Sequence, residues 1–196
     1  IIDRLFFFNT TRPTFIPPET PAFVAPRRHF ASRLIMFRKY HVDGVQQLKS
    51  SVQRGIRAKI SDQYPALDDA LDDLMPKKAT VVIGKCEHKT NVVLVDDEPL
   101  FFNQRDGPYF PTLRVLHKYP DMMPKLRVDK GAIKFVISGA NIMCPGLTSS
   151  GATMHDECEE GEPVGGYAEG KEDALAEGIA TMSTEALRTV NNGIVE

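Results

Sequence analysis

Three short apolar segments between residues 80 and 103 constrain the fold more than any other feature of the chain. The first two, TVVIGKCE and NVVLV, are rich in β-branched residues. The acidic tripeptide DDE has the composition of a turn, and PLFFN follows it directly. Because β-branched runs bounded by turn residues are typical of strands, the pattern predicts three strands with a turn at Asp96–Glu98.

Helical patterns lie on both sides of these strands. Asp43 is a candidate N-cap for a first helix whose apolar residues recur at steps of three and four. This stripe consists of Val45, Leu48, Val52, Ile56 and Ile60. Two shorter helices are predicted within YPALDDALDDLMP and GPYFPTLRVLHKYP, where leucines face inward at helical spacing. Residues 36–126 are therefore predicted to form a mixed α+β domain.

The stretch VDKGAIKFVISGANIMCPGL, from Val128 to Leu147, contains two apolar runs separated by Gly139. Asp129–Gly131 is predicted to be a turn, and a strand is predicted to follow it. Its core-facing residues would be Ile133, Phe135 and Ile137. Pro145 would end a second strand, because proline cannot donate a hydrogen bond to a neighbouring strand. Further strands are predicted at EPVGGYAEGK and ALAEGIATMS and a helix at TEALRTVNNG. Residues 127–196 are thus predicted to form a compact β-barrel, which makes the whole chain an α+β protein.

The first 35 residues differ in composition from the rest. Four prolines fall between Pro13 and Pro21, and the segment shows neither a helical nor a strand period. We expect residues 1–35 to be a disordered or non-native extension. A transit peptide is an alternative, because arginine and phenylalanine are frequent and acidic residues are sparse.

Charge is distributed unevenly, although the chain of 196 residues has a formal net charge of only −2. Residues 127–196 hold 12 acidic and 5 basic side chains, whereas residues 36–126 hold 12 acidic and 14 basic ones. The acidic excess makes the last segment as a whole a poor polyanion binder. The three cysteines are an odd number with wide spacing, which favours a reducing compartment such as the cytoplasm.

Catalytic and metal-binding patterns are weak. The sequence holds neither GxSxG nor HExxH, and its serine pairs have no nearby histidine with a supporting acid. Cys86 and His88 would share one face of a strand, but a single cysteine there is usually buried packing. A zinc site from Cys86, His88, His155 and Cys158 lacks the tight spacing of a structural zinc finger. We therefore expect no catalytic residue, no metal and no cofactor.

Basic side chains are the main indication of a nucleic-acid partner. They lie largely off the apolar stripes of the first and third predicted helices and directly after the second. The set consists of Lys49, Arg54, Arg57, Lys59, Lys77, Lys78, Arg114 and Lys118. Clustered in space, these residues would contact phosphates of a nucleic acid; solvated helix faces are the alternative.

Three longer stretches are specific enough to indicate a family. QLKSSVQRGIRAKI, PLFFNQRDGPYFPTLRVLHKYP and VDKGAIKFVISGANIMCPGL closely resemble the malignant T-cell-amplified sequence family. The resemblance covers about residues 36–196 and implies a family-specific N-terminal domain followed by a PUA-type β-pseudobarrel. It implies a cytoplasmic, non-enzymatic translation factor that pairs with density-regulated protein. Together they would bind the small ribosomal subunit and its rRNA, release deacylated tRNA and promote reinitiation.

The resemblance also indicates an RNA-binding groove in the C-terminal region. The groove residues are Lys130, Gly131, Ala132, Gly139, Ala140, Asn141, Met143, Pro145 and Gly146. Phe135 is a candidate contact for the partner protein, and a core position in its strand is the alternative. Two departures from the family matter. The acidic segment 155–170 predicts weaker RNA affinity if it lies near the groove, and the family's last strand is expected to be missing after Glu196.

Two other functions stay open at this point. PUA domains are often appended to RNA-modifying enzymes, so the chain would then be an accessory subunit of such an enzyme. Alternatively, it is a protein-interaction module that binds density-regulated protein and leaves RNA contact to that partner. The salt dependence of binding to isolated small subunits separates the latter from direct phosphate contact.

Overall fold

The computed structural model describes residues 2–6 and 42–192. The strands of the first half are β1 Ile2–Phe6, β2 Val42–Gln47, β3 Val81–Cys86, β4 Thr90–Val95, β5 Glu98–Gln104 and β6 Phe110–Pro111. Its helices are α1 Ser50–Gln63, α2 Asp68–Leu74 and α3 Leu113–Lys118. Short 3-10 turns lie at Pro65–Leu67, Glu87–Lys89 and Pro120–Met122.

Five of these strands form an antiparallel sheet in the order β2-β3-β4-β5-β6. Asp96 and Asp97 join β4 to β5, and their φ angles are +48° and +68°. Positive φ at both central residues characterises the type I′ turn, whose twist matches that of the strands it joins. The three predicted strands and the predicted turn are therefore confirmed.

The two shorter predicted helices are also confirmed. The first is formed by α2 and the 3-10 turn before it, the second is α3, and both lie where the leucine spacing predicts them. Leu67, Leu71 and Leu116 are fully buried. They join a core cluster that includes Ile60 of α1 and Phe101 of β5. The helices of the first half therefore pack against its sheet.

The predicted beginning of the first helix is wrong. Asp43 and Val45 belong to β2, which pairs with β3, and α1 begins only at Ser50. Val45 and Val52 are 40% and 46% exposed, so only the later part of the stripe, Ile56 and Ile60, is buried. The hydrogen-bonded pairing with β3 outweighs the helical spacing of the apolar residues.

The second half contains β7 Lys125–Val128, β8 Thr153–Met154, β9 Pro163–Ala168 and β10 Ala174–Ala180. Its helices are α4 Lys130–Ile137, α5 Cys144–Thr148 and α6 Thr184–Asn192. The sheet order is β1-β10-β9-β7-β8, with β7 and β9 parallel and the other neighbours antiparallel. β9, β10 and α6 lie where the sequence predicts them, and β7 spans the predicted domain boundary at residues 126 and 127.

The prediction of two strands between Val128 and Leu147 is wrong, because the stretch forms α4 and α5. Asp129 is the N-cap of α4, and its Oδ2 accepts a hydrogen bond of 2.8 Å from the backbone N–H of Gly131. Val136 faces the core, whereas Phe135 and Ile137 are 55% and 49% exposed. Pro145 lies in the first turn of α5, where the missing N–H costs nothing.

β1 lies on the outer edge of the second sheet and pairs antiparallel with β10. The sequence predicts no regular structure in residues 1–35, whereas Ile2–Phe6 form this strand. Pairing satisfies backbone groups of β10 that would otherwise form an open sheet edge. Residues 7–35 of the predicted extension lie outside the described residues, as does the chain end after residue 192, where the last strand is expected to be missing.

The second half has a core cluster of its own, and the two halves meet in the core cluster of the first half. Tyr167 of β9 and Ala174 of β10 belong to the same cluster as Leu116 of α3. A Cβ atom on Gly165 of β9 would lie 3.0 Å from a ring carbon of Tyr167 and at an ordinary contact distance of 3.5 Å from a methyl carbon of Leu116, so the glycine makes room for the Tyr167 ring where β9 packs on α3. His117 of α3 also makes a 2.8 Å hydrogen bond to the carbonyl of Ala174. These contacts fix the two halves relative to each other.

Glu177 of β10 is a polar residue within this interface. It lies opposite Gly165 in the sheet, it is fully buried, and neither carboxyl oxygen has a hydrogen-bond partner. Burial raises the pKa of the Glu177 carboxyl well above its usual range. The pKa of Tyr64 is raised by its own burial and then by the nearby charge of Glu177, which places Glu177 next to the first half of the chain.

We expect Glu177→Met to raise the free energy of unfolding at neutral pH by about 1–3 kcal/mol, because an unpaired buried polar group is removed. Folding raises the pKa of the Glu177 carboxyl, so its favourable contribution to stability is complete only below the unfolded-state pKa of about 4.3. This contribution is lost as the pH rises through the folded-state pKa. The difference in stability between variant and wild type should therefore widen as pH rises above about 4. Urea unfolding at several pH values measures it, with exposed Glu172→Met as control. A difference that does not change with pH would contradict the assignment.

Candidate nucleic-acid interface

The predicted RNA-binding residues lie on α4, α5 and the turn between them. The first turns of the two helices meet, because the backbone N–H of Asp129 donates a 3.2 Å hydrogen bond to the carbonyl of Gly146. A Cβ atom on Gly146 would lie only 3.2 Å from the Cβ of Ala132. Glycine at this position therefore lets the two helices approach closely, and it places Lys130–Ala132 beside Pro145 and Gly146.

Gly139, Ala140 and Asn141 form a second group beyond the other end of α4. Gly139 has a φ of +89° and ends the helix, and its N–H donates to the carbonyl of Val136 at 3.0 Å. Because α4 has eight residues, the two groups are separated by roughly 12 Å along the helix axis. The structure thus brings together only part of the predicted groove.

Carboxylates occupy the first turn of α4. Besides Asp129, Glu169 lies here: its Oε2 accepts from the backbone N–H of Lys130 at 3.3 Å, and its Oε1 is 3.6 Å from Lys130 Nζ. Gly151 makes room for this carboxylate, because a Cβ there would lie 2.3 Å from Glu169 Oε2. The backbone donors that would bind an RNA phosphate are therefore already paired with acidic side chains.

The position of Glu169 could not be derived from the sequence in detail. The only signal is its membership of the acidic segment 155–170, for which weaker RNA affinity is predicted if the segment lies near the groove. The ion pair between Glu169 and Lys130 shows that this end of the acidic segment lies beside the predicted groove.

Three apolar residues in or near the predicted groove are exposed: Phe135, Ile137 and Met143, of which Met143 is 56% exposed. Phe135 and Ile137 are two positions apart on α4 and therefore point to different sides of the helix. Lys134 Nζ lies 4.8 Å from the centre of the Phe135 ring, which leaves a cation beside the aromatic side chain. The core position considered for Phe135 is therefore wrong, and a contact surface is favoured.

Most of the predicted basic set is exposed, with one clear exception. Arg57 is partly buried, and its guanidinium donates to Asp72 at 2.6 Å and to the carbonyl of Met75 at 2.8 Å. Arg57 therefore connects α1 to the end of α2, and its guanidinium is already engaged in contacts within the protein. Arg114 has a long 3.8 Å ion pair with exposed Glu98, which is easily exchanged for solvent. The remaining members are Lys49, Arg54, Lys59, Lys77, Lys78 and Lys118, all exposed.

The cysteines and histidines are dispersed. Cys86 is buried in β3, whereas His88 is exposed in the following turn. Cys158 is buried, which raises the pKa of its thiol, and the charge of Glu162 raises it further. Within the described residues, no three histidine, cysteine or acidic side chains are arranged to hold a metal ion. No helix in this part of the chain is long and apolar enough to cross a membrane.

Comparison with protein families identifies both halves of the chain. A model of the Pre-PUA-like domain matches residues 37–120, and a model of the PUA domain matches residues 124–196. Malignant T-cell-amplified sequence 1 homolog of Dictyostelium discoideum is 52% identical over 163 residues, which cover 81% of this chain and 90% of the relative. Malignant T-cell-amplified sequence 1 of Danio rerio is 50% identical with the same coverage.

Solved structures resemble the fold. A hypothetical protein from Pyrococcus horikoshii has a TM-score of 0.60 and 25% identity, covering 74% of this chain and 87% of that one. A PUA-domain protein from Aeropyrum pernix, solved as a tartrate complex, has a TM-score of 0.56 and 22% identity over 76% of this chain and 78% of its own. The latter likeness is one of fold alone.

We expect Glu169→Gln to increase the affinity for structured RNA several-fold, because it removes a charge that repels phosphate and releases Lys130. The slope of log affinity against log salt should steepen by about one, as for one additional phosphate contact. Fluorescence anisotropy with a labelled RNA hairpin at several salt concentrations measures both, with exposed Glu172→Gln as the matched control. Equal gains in the two variants would show a general charge effect and no particular role for Glu169.

Proposed function

The chain belongs to the malignant T-cell-amplified sequence family, and we propose that it is a cytoplasmic translation factor that acts by binding and catalyses no reaction. In this proposal it binds the small ribosomal subunit and its rRNA together with density-regulated protein. The complex removes deacylated tRNA after termination and promotes reinitiation. The observation that carries the proposal is the match of both halves, Pre-PUA-like and PUA, to relatives about 50% identical over most of the chain.

Direct RNA contact is supported by the exposed basic residues of the first half and by the meeting of α4 and α5. The first turns of these helices present Lys130 and close backbone approach at Gly146. This arrangement suits recognition of shape and phosphates, since it presents few side chains that would read base edges. Because Glu169 competes for the same donors, we propose that affinity for isolated RNA is low and that binding to the ribosome combines contacts from both halves.

A second candidate function is favoured by one specific observation. The carboxylates on the first turn of α4 and the exposed aromatic ring of Phe135 on the same helix together suit a protein-interaction module better than an RNA groove. In that case density-regulated protein would provide the RNA contacts. The two candidates differ in whether this chain alone binds small subunits in a salt-dependent manner.

The charge-reversal variant Lys77→Glu/Lys78→Glu tests direct binding. Both lysines are exposed in the turn after α2, so the change should leave the fold intact. We expect weaker binding to isolated small subunits and a salt slope reduced by roughly two, about one per lost phosphate contact. Co-sedimentation at several salt concentrations measures both quantities.

Lys89→Glu/Arg105→Glu is the matched control, because it makes the same charge change on two exposed residues at the end of the first sheet. If the lysine pair and the control weaken binding equally, the effect is one of net charge. If neither changes binding, the basic set is only solvated and the protein-interaction module is the better account.

Phe135 is the proposed contact for density-regulated protein. We expect Phe135→Ala to weaken that complex by at least about tenfold, because exposed aromatic residues that become buried often dominate binding energy. The melting temperature should hardly change, since more than half of the side chain is exposed. Isothermal titration calorimetry measures the affinity, and Val45→Ala, an exposed apolar residue on β2, is the control. Unchanged affinity would assign the partner to another surface.

A further inference from the structure

A groove runs between α1 and the first sheet, and Lys59 is the one residue of the predicted basic set that lines it. It encloses about 340 Å³ and is lined on the helix side by Val52, Gly55, Ile56 and Lys59. The sheet side includes Ile83, Lys85, Asn91 and Asn103. Leu48 at one end and Tyr109 at the other complete its apolar lining. The volume lies at the lower end of the range for ligand pockets, about 300–1,000 Å³, which suits one small planar group.

The helix wall leaves this groove open. No heavy atom lies within 4 Å of a Cβ built on Gly55, and the neighbouring Val52 is 46% exposed. Glycine within a helix costs about 1 kcal/mol relative to alanine. Packing does not require it at this position, because the space beside it is empty.

Two amides lie on the sheet side of the groove. Asn91 Nδ2 donates to Asn103 Oδ1 at 3.3 Å, and Asn103 is only 5% exposed. In the described part of the chain, Asn91 Oδ1 and Asn103 Nδ2 make no hydrogen bond. The pair therefore offers one acceptor and one donor to a molecule in the groove, between apolar walls. Every nucleobase carries such neighbouring acceptors and donors on its edges.

Charge at the groove favours an anionic molecule. Lys59 and Lys85 are exposed, and neither forms an ion pair within the described residues. Asp106 is the single acidic residue of the lining, and it lies near Tyr109, whose pKa is raised by burial and by the charge of Asp106. Arg54, also exposed, belongs to the same helix.

We propose that this groove binds one unpaired nucleotide of RNA, with its base between the apolar walls and against the Asn91–Asn103 amides and its phosphates at Lys59 and Lys85. The inference rests on the proposed RNA-binding function and deepens it, because it assigns a base-binding site to the first half of the chain. Such a site selects unpaired nucleotides, since a base within a duplex cannot enter a groove.

Gly55→Leu tests the proposal, because a Cβ atom at this position meets no other atom within 4 Å, the larger side chain occupies space in the groove, and leucine is a better helix former than glycine. Gly55→Ala is the matched control, which gains the helix propensity and leaves most of the space open. The probe is a fluorescein-labelled uridine 12-mer, and the comparison probe is a 12-mer of abasic ribose phosphates. Thermal melts monitored by circular dichroism confirm that both variants are folded.

We expect Gly55→Leu to weaken binding of the uridine 12-mer about tenfold, with Gly55→Ala within twofold of wild type. The abasic probe should bind all three proteins equally. Equal binding of the uridine 12-mer to wild type and Gly55→Leu, or of both probes to wild type, would overturn the proposal.

A photoreactive benzoylphenylalanine at position 52 identifies the occupant on small subunits. Crosslinks to rRNA support the proposal, and crosslinks to protein alone overturn it. Failure of the proposed function differs from failure of the base-binding site alone, because the wild-type protein would then bind neither small subunits nor the uridine 12-mer. If wild type binds small subunits and Gly55→Leu binds them equally, only the base-binding site is excluded.

Discussion

The packing of β9 and β10 against α3 is the contact on which the rest of the structure depends. Tyr167 and Ala174 share a core with Leu116, and the absence of a side chain on Gly165 leaves room for the Tyr167 ring in that core. The basic residues of α1 and the helix pair α4–α5 lie on elements of two core clusters that are connected through this contact. Buried Glu177 weakens this same interface, because it lacks a hydrogen-bond partner there. A ligand that spans both halves would be recognised by their fixed relative position.

Charge compensation within the protein limits how strongly it attracts an anion. Arg57 is paired with Asp72, Arg114 with Glu98 and Lys130 with Glu169, so three of the predicted cationic contacts already have acidic partners. A protein with this arrangement of charges gains little binding free energy from contact with isolated RNA. It gains more from a surface that contacts several exposed lysines at once, because each phosphate contact releases further counterions. This electrostatic balance favours a factor that binds an assembled particle over one that binds free RNA.

Parts of the fold with strong local signals are predictable from the sequence. The strands around Asp96–Glu98 and the leucine-bearing helices follow from β-branched composition, turn residues and helical spacing. At α4 the alternation of Ile133, Phe135 and Ile137 is typical of a strand, and only Asp129 as an N-cap indicates the helix. Before α1 the helical spacing of apolar residues is misleading, because β2 is stabilised by pairing with distant β3, which local spacing does not show.

The candidate site likewise contains residues that the sequence indicates and residues that only the tertiary structure brings together. Residues of the α4–α5 unit were reached through family resemblance, whereas Glu169 is 39 positions away from Lys130 and meets it only through the parallel pairing of β7 and β9. The groove of Asn91 and Asn103 likewise depends on the register of β4 and β5. Contacts of this kind are set by tertiary structure and leave no periodic signal in the sequence.

Directed hydroxyl-radical probing tests most directly the claim that both halves of the protein face RNA on the small subunit. Iron chelates would be tethered to cysteines introduced at exposed position 58 on α1 and exposed position 138 after α4, with Cys144 replaced by serine to avoid background labelling. The account predicts localised rRNA cleavage from both positions, at sites whose separation matches the distance between them on the protein. Cleavage from only one position, or from neither while the protein remains bound, would contradict it.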